Sequence, residues 1–184
     1  MTIRTSISHP LRIATLPVGN RGGAIGVTFA PGKRQAKAMT GRWERDIDLD
    51  LDTIRRWGAS DLITLLEPQE FEELGIQELP ARAKAHGLTW YGLPITDGCA
   101  PDDRFLKGWR ALGPTWIEGL RSGRRIVMHC KGGLGRAGTV ACLFLLDSGT
   151  ASGAVEAITM VRQVRPGAVE TVEQEAFLRS GRVT

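Results

Sequence analysis

Residues 125–146 read RIVMHCKGGLGRAGTVACLFLL: an apolar run, a glycine-rich loop, then a second apolar run. A strand-loop-helix passage of this kind gathers successive backbone N–H groups and the positive end of a helix dipole in one concavity, so it suits an anion. Two spacings overlap in it. Gly133, Gly135 and Gly138 spell G-x-G-x-x-G, the pattern of a dinucleotide-binding turn, while Cys130 and Arg136 bracket five residues. The first pattern needs its helix to be followed by another parallel strand ending in an acid that holds the ribose. The next segment here, SGAVEAITMVRQVRPG, is helical in period, and no Gly-Lys-Ser/Thr follows the glycines to hold a nucleoside triphosphate.

The second spacing accounts for more of the residues. Glycines permit the tight turn and leave room for a phosphate. Arg136 can grip two phosphate oxygens with its planar fork, as a lysine could not. A cysteine at the rim of such a cup is expected as the thiolate, its nucleophilic form. Lys131, Gly132, Gly133, Leu134, Gly135 and Arg136 are therefore expected to line a phosphate site, with Cys130 as the attacking group.

The rest of the chain is compatible with this chemistry. Its 184 residues suffice for one domain with a sizeable core, and 42% hydrophobic with 24% charged residues is an ordinary globular balance. No repeat or long linker divides it, so residues 1–184 are expected as a single domain. Three cysteines, Cys99, Cys130 and Cys142, lack a disulfide or zinc spacing, and neither a metal nor a cofactor is expected. The N-terminal stretch MTIRTSISHPLRIATLP has no long apolar run, so a cytoplasmic protein without a membrane anchor is expected. A net charge of +4 favours anionic ligands, but the basic residues cluster only in GKRQAK (32–37) and RSGRR (121–125). Both clusters read as solvated surface, and nucleic acid is not expected as a partner.

Strands alternate with helices. LRIATLP and GAIGVTFAP read as two strands joined by a turn, forming a hairpin or a pair of edge strands. DIDLDLDTIRRWG sets Ile47, Leu51, Ile54 and Trp57 on one helical face, with Gly58 as its stop. DLITLLEP and LTWYGLPI read as buried strands, separated by short helices in PQEFEELG and ELPARAKAHG. DDRFLKGWRALGPTWIEGLRSG reads as a helix interrupted near Gly113-Pro114, and three helical segments follow the glycine loop. The pattern predicts an α/β fold: a central, mostly parallel sheet flanked by helices, with a helical C-terminal third.

HCKGGLGR resembles the signature of the cysteine-dependent dual-specificity and protein tyrosine phosphatase superfamily. PITDGCAPD upstream and GAVETVEQEAFL downstream are similar to its kinase-associated phosphatase branch, and PLRIATLP, GVTFAPGKR and WGASDLITLLE fit that branch too. The resemblance implies phosphomonoester hydrolysis through a phosphocysteine on Cys130, clamped by Arg136, with a proton supplied by an aspartate on an upstream loop. Asp97 is the candidate acid, with Asp102 and Asp103 behind it because PDD also reads as a helix cap. The resemblance further implies that His129 orients the loop and that Gln174 helps place the hydrolytic water, although a strand-end histidine is equally a core residue and Gln174 could lie exposed on a helix. Lys131 resembles the lysine of phosphoinositide-directed relatives.

One residue departs from the pattern. Ala137 stands where most relatives carry a Ser or Thr whose hydroxyl stabilises the departing thiolate, and Thr139 lies about 200° around the helix. Slow turnover is expected. The implied partner is a phosphorylated protein such as a kinase, met by a monomer that holds phosphate or sulfate in its loop. A phosphoinositide or small-molecule phosphatase, and a binding module that reads phosphate without turning it over, are the competing expectations.

Overall fold

The computed structural model describes residues 3–38 and 41–181. Its sheet runs in the order β1 (Ala14–Val18), β2 (Gly23–Phe29), β7 (Arg125–Cys130), β5 (Asp61–Thr64), β6 (Thr89–Gly92). Within this five-stranded sheet the β1–β2 hairpin is antiparallel, and the β2–β7, β7–β5 and β5–β6 pairs are parallel. The sheet is thus central and mostly parallel, as the alternation of strands and helices predicts. β1 is an edge strand, but β2 is internal, with Phe29 paired to Cys130 across the ladder.

Two apolar layers cover the sheet. On one face α1 (Ile47–Arg56), α2 (Pro68–Glu73) and α3 (Leu79–Ala85) enclose Leu51, Ile54, Leu62, Leu74 and Val127. On the other, α4 (Asp103–Arg121), α5 (Gly135–Asp147), α6 (Ala154–Val164) and α7 (Val172–Arg179) pack around Ile25, Ile63, Met128 and Phe144. α5 is buried from Gly135 to Leu145, which is why its sequence lacks a polar face. Among the described residues no helix is long and apolar enough to cross a membrane.

Several sequence expectations need correction. α4 runs unbroken through Pro114. Phe105, Leu106, Trp109 and Gly113 before it, and Trp116, Ile117 and Leu120 after it, share one buried face, and that packing outweighs the roughly 3 kcal/mol a mid-helix proline costs. β6 is not a buried strand: it forms the other sheet edge, and its residues are half-buried or exposed. GKRQAK does not lie wholly in solvent. It leads into a two-stranded hairpin of β3 (Arg34–Ala38) and β4 (Gly41–Glu44), and Lys33 is buried over the rings of Phe29 and Trp43 at 4.8 and 4.6 Å. In RSGRR, Arg124 reaches the buried Asp61 and Arg125 lies over Trp57, 4.0 Å from its centroid.

Candidate active site

The carboxyl end of β7, in the middle of the sheet, delivers Cys130 to the start of α5. The thiol is 3% exposed, and its Sγ accepts the N–H of Gly133 at 3.2 Å. Gly133 must be glycine for two reasons: its φ is +69°, and a Cβ there would stand 2.4 Å from the Thr28 carbonyl oxygen on β2. A Cβ on Gly138 would press within 2.9 Å of Ala168, so that glycine lets the 168–169 turn approach α5. The dinucleotide-like glycine spacing therefore has local steric causes. Of the other thiols, burial pushes Cys142 up to about 12, which leaves it protonated and unreactive.

Arg136, on the first turn of α5, is 1% exposed. Its outer edge is held by Glu70 of α2, with Nη1 donating to Oε2 at 2.6 Å and Nη2 to Oε1 at 2.9 Å. Nη1 also donates to the carbonyls of Ile95 and Leu65, at 3.0 and 3.3 Å. Burial opposes the charge of Arg136, but Glu70, Cys130 and Asp97 raise its pKa further above the ordinary value. Burial likewise works against the Glu70 carboxylate, yet the Arg136 hydrogen bonds and the N–H of Glu67 hold it below the usual range. The second edge of the guanidinium carries Nε and the remaining Nη2 hydrogen. Nε is buried without a hydrogen-bond partner, and Nη2 lies 3.0 Å from Asp97 Oδ1. A planar fork thus faces the cup with one free donor and one donor held by the expected acid.

Asp97 is the expected residue that the fold brings to this fork; its side chain is 65% exposed. Asp102 instead caps α4, accepting from the N–H groups of Arg104 and Phe105, and Asp103 lies exposed in the first turn. The helix-cap reading of PDD therefore holds for Asp102, while Asp103 adds only its negative charge to the first turn. Lys131 stands at the mouth, 3.6 Å from Glu73. Gly132 has open space around it, and Leu134 occupies the N-cap of α5.

His129 is wholly buried beneath the loop, and burial lowers its pKa to about 4. A neutral ring fits one relay: Trp90 Nε1–H donates to Thr64 Oγ1, the Thr64 hydroxyl donates to His129 Nε2, and Nδ1–H faces the Cys130 carbonyl at 3.4 Å. Gln174 is fully buried rather than exposed on a helix. Its amide accepts from the N–H groups of Glu170 and Thr171 and donates to the Cys99 carbonyl at 3.2 Å, so it ties α7 to the segment that carries Asp97. Ala137 is buried, and the Thr139 hydroxyl donates back to the Gly135 carbonyl at 2.8 Å, away from the thiol.

Sequence reading passes over three neighbours of the loop. Glu70 is one, disguised in PQEFEELG as an ordinary helix acid. Glu170 is another: its Oε2 accepts the Gly135 N–H at 2.8 Å. Arg165 is the third, donating to the carbonyls of Gly132 and Gly133. The positive φ of Val169, +57°, was a further unmarked feature, since a β-branched residue seldom takes that conformation.

A buried thiol that accepts a loop N–H, near a buried arginine fork that an aspartate meets, belongs to the cysteine-based phosphatases. The pattern of the PTP-SAK family, a Swiss Army Knife DSP-PTPase phosphatase domain, matches residues 50–178, and the chain belongs to that family. It is 28% identical to mouse (Mus musculus) cyclin-dependent kinase inhibitor 3 over 94% of this chain and 79% of that protein. A probable protein tyrosine phosphatase type IVA A of Dictyostelium discoideum is 24% identical over 73% of the chain and 74% of its own length. Among solved structures, kinase associated phosphatase with its catalytic-site cysteine replaced by serine superposes with a TM-score of 0.79 at 24% identity, covering 94% of each chain. Tk-PTP in its active form gives 0.64 at 27% identity, over 91% of this chain and 95% of that one.

Proposed function

We propose that the chain hydrolyses phosphomonoesters on phosphoproteins, at phosphotyrosine, phosphoserine or phosphothreonine, through a phosphocysteine on Cys130. The observation that carries this is the second edge of Arg136: a buried, unpartnered Nε beside an Nη2 shared between Glu70 and Asp97, on a guanidinium near enough to Cys130 to feel its charge. That edge matches two oxygens of a phosphate. When phosphate enters, its oxygens take Nε and Nη2, and Asp97 is released toward the leaving oxygen. Asp97, once clear of the guanidinium, takes up a proton from water; the Cys130 thiolate forms the S–P bond as the ester P–O bond breaks, and Asp97 passes that proton to the departing alkoxide or phenoxide. Water then attacks phosphorus, Asp97 takes its proton, and the S–P bond breaks to return thiolate and inorganic phosphate. Lys131, Gly132, Gly133, Leu134 and Gly135 supply backbone N–H groups to the phosphoryl oxygens, which gain negative charge in the transition state. The Gly135 N–H is shared with Glu170. His129 and Gln174 act through the positions of the loop and of the Asp97 segment.

The phosphoprotein assignment is supported by the relatives, one of which is a kinase associated phosphatase. A phosphorylated kinase is the partner this suggests, met by a single-domain monomer. Ala137 favours a second reading, a module that binds phosphate and barely turns it over, because no hydroxyl follows the arginine.

Steady-state turnover of an aryl phosphate and a panel of phosphopeptides decides between them. The native protein is expected to release phosphate. Cys130→Ser is expected to lose turnover while still binding inorganic phosphate, since the N–H groups and Arg136 remain. Substantial hydrolysis by Cys130→Ser overturns the cysteine mechanism; phosphate binding without turnover in the native protein establishes the module.

A further inference from the structure

The phosphate loop has an outward face as well as an inward one, and the outward face is organised by charge. Arg165 Nε donates to the Gly133 carbonyl and Arg165 Nη2 to the Gly132 carbonyl, both at 2.9 Å. Lys33 Nζ stands 3.5 Å from the Lys131 carbonyl, and the N–H of Val169 donates to the Leu134 carbonyl at 3.3 Å. Four successive carbonyls are thus engaged from outside. The described peptide bonds are all trans. In a planar trans unit the C=O of one residue and the N–H of the next point in opposite directions, so each carbonyl drawn outward turns the following N–H inward. The carbonyls of Gly132 and Gly133 govern the N–H groups of Gly133 and Leu134, and the first of these already points at the Cys130 sulfur.

Arg165 reaches this position through its own sequence. It closes α6, and Pro166 after it disfavours further helix, so the side chain is thrown toward the loop at a C-cap with φ −134° and ψ 79°. One turn earlier, Arg162 repeats the grip on the carbonyls of Ala168 and Val169, at 2.9 and 2.8 Å, and this holds Val169 at its unusual φ. Arg162 has a carboxylate partner in Glu175. Arg165 forms no ion pair among the described residues, although it is half-buried. Burial lowers its pKa, and the charge of Cys130 is what acts in the other direction. A desolvated guanidinium with two carbonyls and no carboxylate is spent on orienting those carbonyls.

We propose that Arg165 is a positioning residue of the phosphatase site, clamping the outward carbonyls of Gly132 and Gly133 so that the Gly133 and Leu134 N–H groups stay aimed at the phosphoryl oxygens, with Lys33 as a weaker second clamp on Lys131. It rests on the reading of the 130–136 loop as a phosphate cup. Arg165 touches neither substrate nor sulfur; it fixes the dipoles that do.

Calorimetric titration with inorganic phosphate, in the Cys130→Ser background, tests the clamp. Arg165→Met is expected to raise the phosphate dissociation constant about tenfold or more, the scale of losing an aligned oxyanion donor. Arg165→Lys should recover only part of this, because one ammonium cannot bridge two carbonyls as a planar fork does. Lys33→Met should weaken binding by a smaller factor. A purely structural role would lower the thermal midpoint but leave the dissociation constant of folded protein unchanged, and unchanged affinity in Arg165→Met overturns the clamp. If Arg165→Met does not fold, Arg165→Lys decides by the same criterion. A folded Cys130→Ser protein with Arg165 intact that binds no phosphate overturns the cup itself, a result distinct from equal affinity with and without Arg165.

Discussion

The two segments that meet at the guanidinium of Arg136 are built on opposite principles. Residues 130–136 lie between the central strand and a buried helix, and Cys130 and Arg136 are 3% and 1% exposed. Residues 96–102 cross the surface; Asp97 is 65% exposed, and Gly98 has open space around its α-carbon at a φ of +77°. The first segment is held by the core and by charged forks on both faces. The second is held by three hydrogen bonds from the first turn of α7 and its cap: Thr171 to the Gly98 carbonyl, Gln174 to the Cys99 carbonyl, and the Ala100 N–H to Glu173. A transition state is stabilised best by groups that need no reorganisation, whereas a proton donor must admit the substrate before closing over it. On the proposed mechanism, burial suits the one task and exposure the other.

Asp97→Asn tests this contrast most severely. Hydrolysis of esters with poor leaving groups is expected to slow by about 10²–10⁴-fold, while nitrophenyl-type esters lose far less, since they depart without a proton. A leaving-group series on both proteins measures it. The same dependence appearing instead in Asp102→Asn or Asp103→Asn would move the acid to the α4 cap.

On the buried side, Glu70→Ala strips the carboxylate from a guanidinium that cannot reach water. Removing one partner of a buried pair costs about 3–5 kcal/mol, and urea unfolding should show a loss of that order together with impaired turnover. Glu70→Gln keeps part of the hydrogen bonding and should lose less. Native-like stability in Glu70→Ala would mean that Arg136 is positioned by the carbonyls of Leu65 and Ile95 alone.

Acid should reach the buried segment through His129. Its folded value of about 4 lies below its ordinary 6.5, so between those two pH values the unfolded chain takes up a proton that the folded chain refuses. Stability is therefore complete above about pH 6.5 and falls as the pH drops toward 4, by on the order of 3 kcal/mol in all. Glu70, also held below its usual value, adds a loss in the same direction at lower pH. Urea midpoints measured across this window should slope in the native protein and flatten in His129→Gln. A flat native profile would falsify the picture of a neutral, buried ring beneath the loop.

Ala137→Ser should give the smallest change. The native protein is expected to show a burst of phenol release and then a slower phase set by phosphocysteine hydrolysis. A hydroxyl at position 137 should speed the slow phase by about threefold, worth less than 1 kcal/mol, and leave the burst rate nearly unchanged. Because Ala137 is fully buried, the new hydroxyl costs about 1 kcal/mol of stability unless it finds the sulfur. A native protein without a burst, and no gain in the variant, would show that hydrolysis does not limit turnover.

Legibility in the sequence followed the range of the interactions. Five strands, seven helices and the cup are local features: each depends on apolar periodicity, a cap or a glycine spacing within about twenty residues. The β3–β4 hairpin escaped because RQAKA carries no large apolar or β-branched residue, its strand lying largely in solvent. Pro114 misled because its local cost is real and only packing on both sides of it offsets that cost. Gln174 showed the reverse, a polar residue that belongs inside because three backbone groups await its amide.

The sequence by itself determined the order of the main-sheet strands and the helices, the parallel sheet and the pairing of Cys130 with Arg136, because these rest on neighbours along the chain. Only the tertiary structure decided which acid meets the arginine fork, which acid stands behind it and what draws the loop carbonyls outward. Asp97, Glu70 and Arg165 lie 39, 66 and 29 residues from Arg136, and their charges count only once burial has removed the water that would otherwise screen them. A carboxylate or guanidinium in a sequence carries no mark of the partner it will meet, since its charge acts through space and not along the chain.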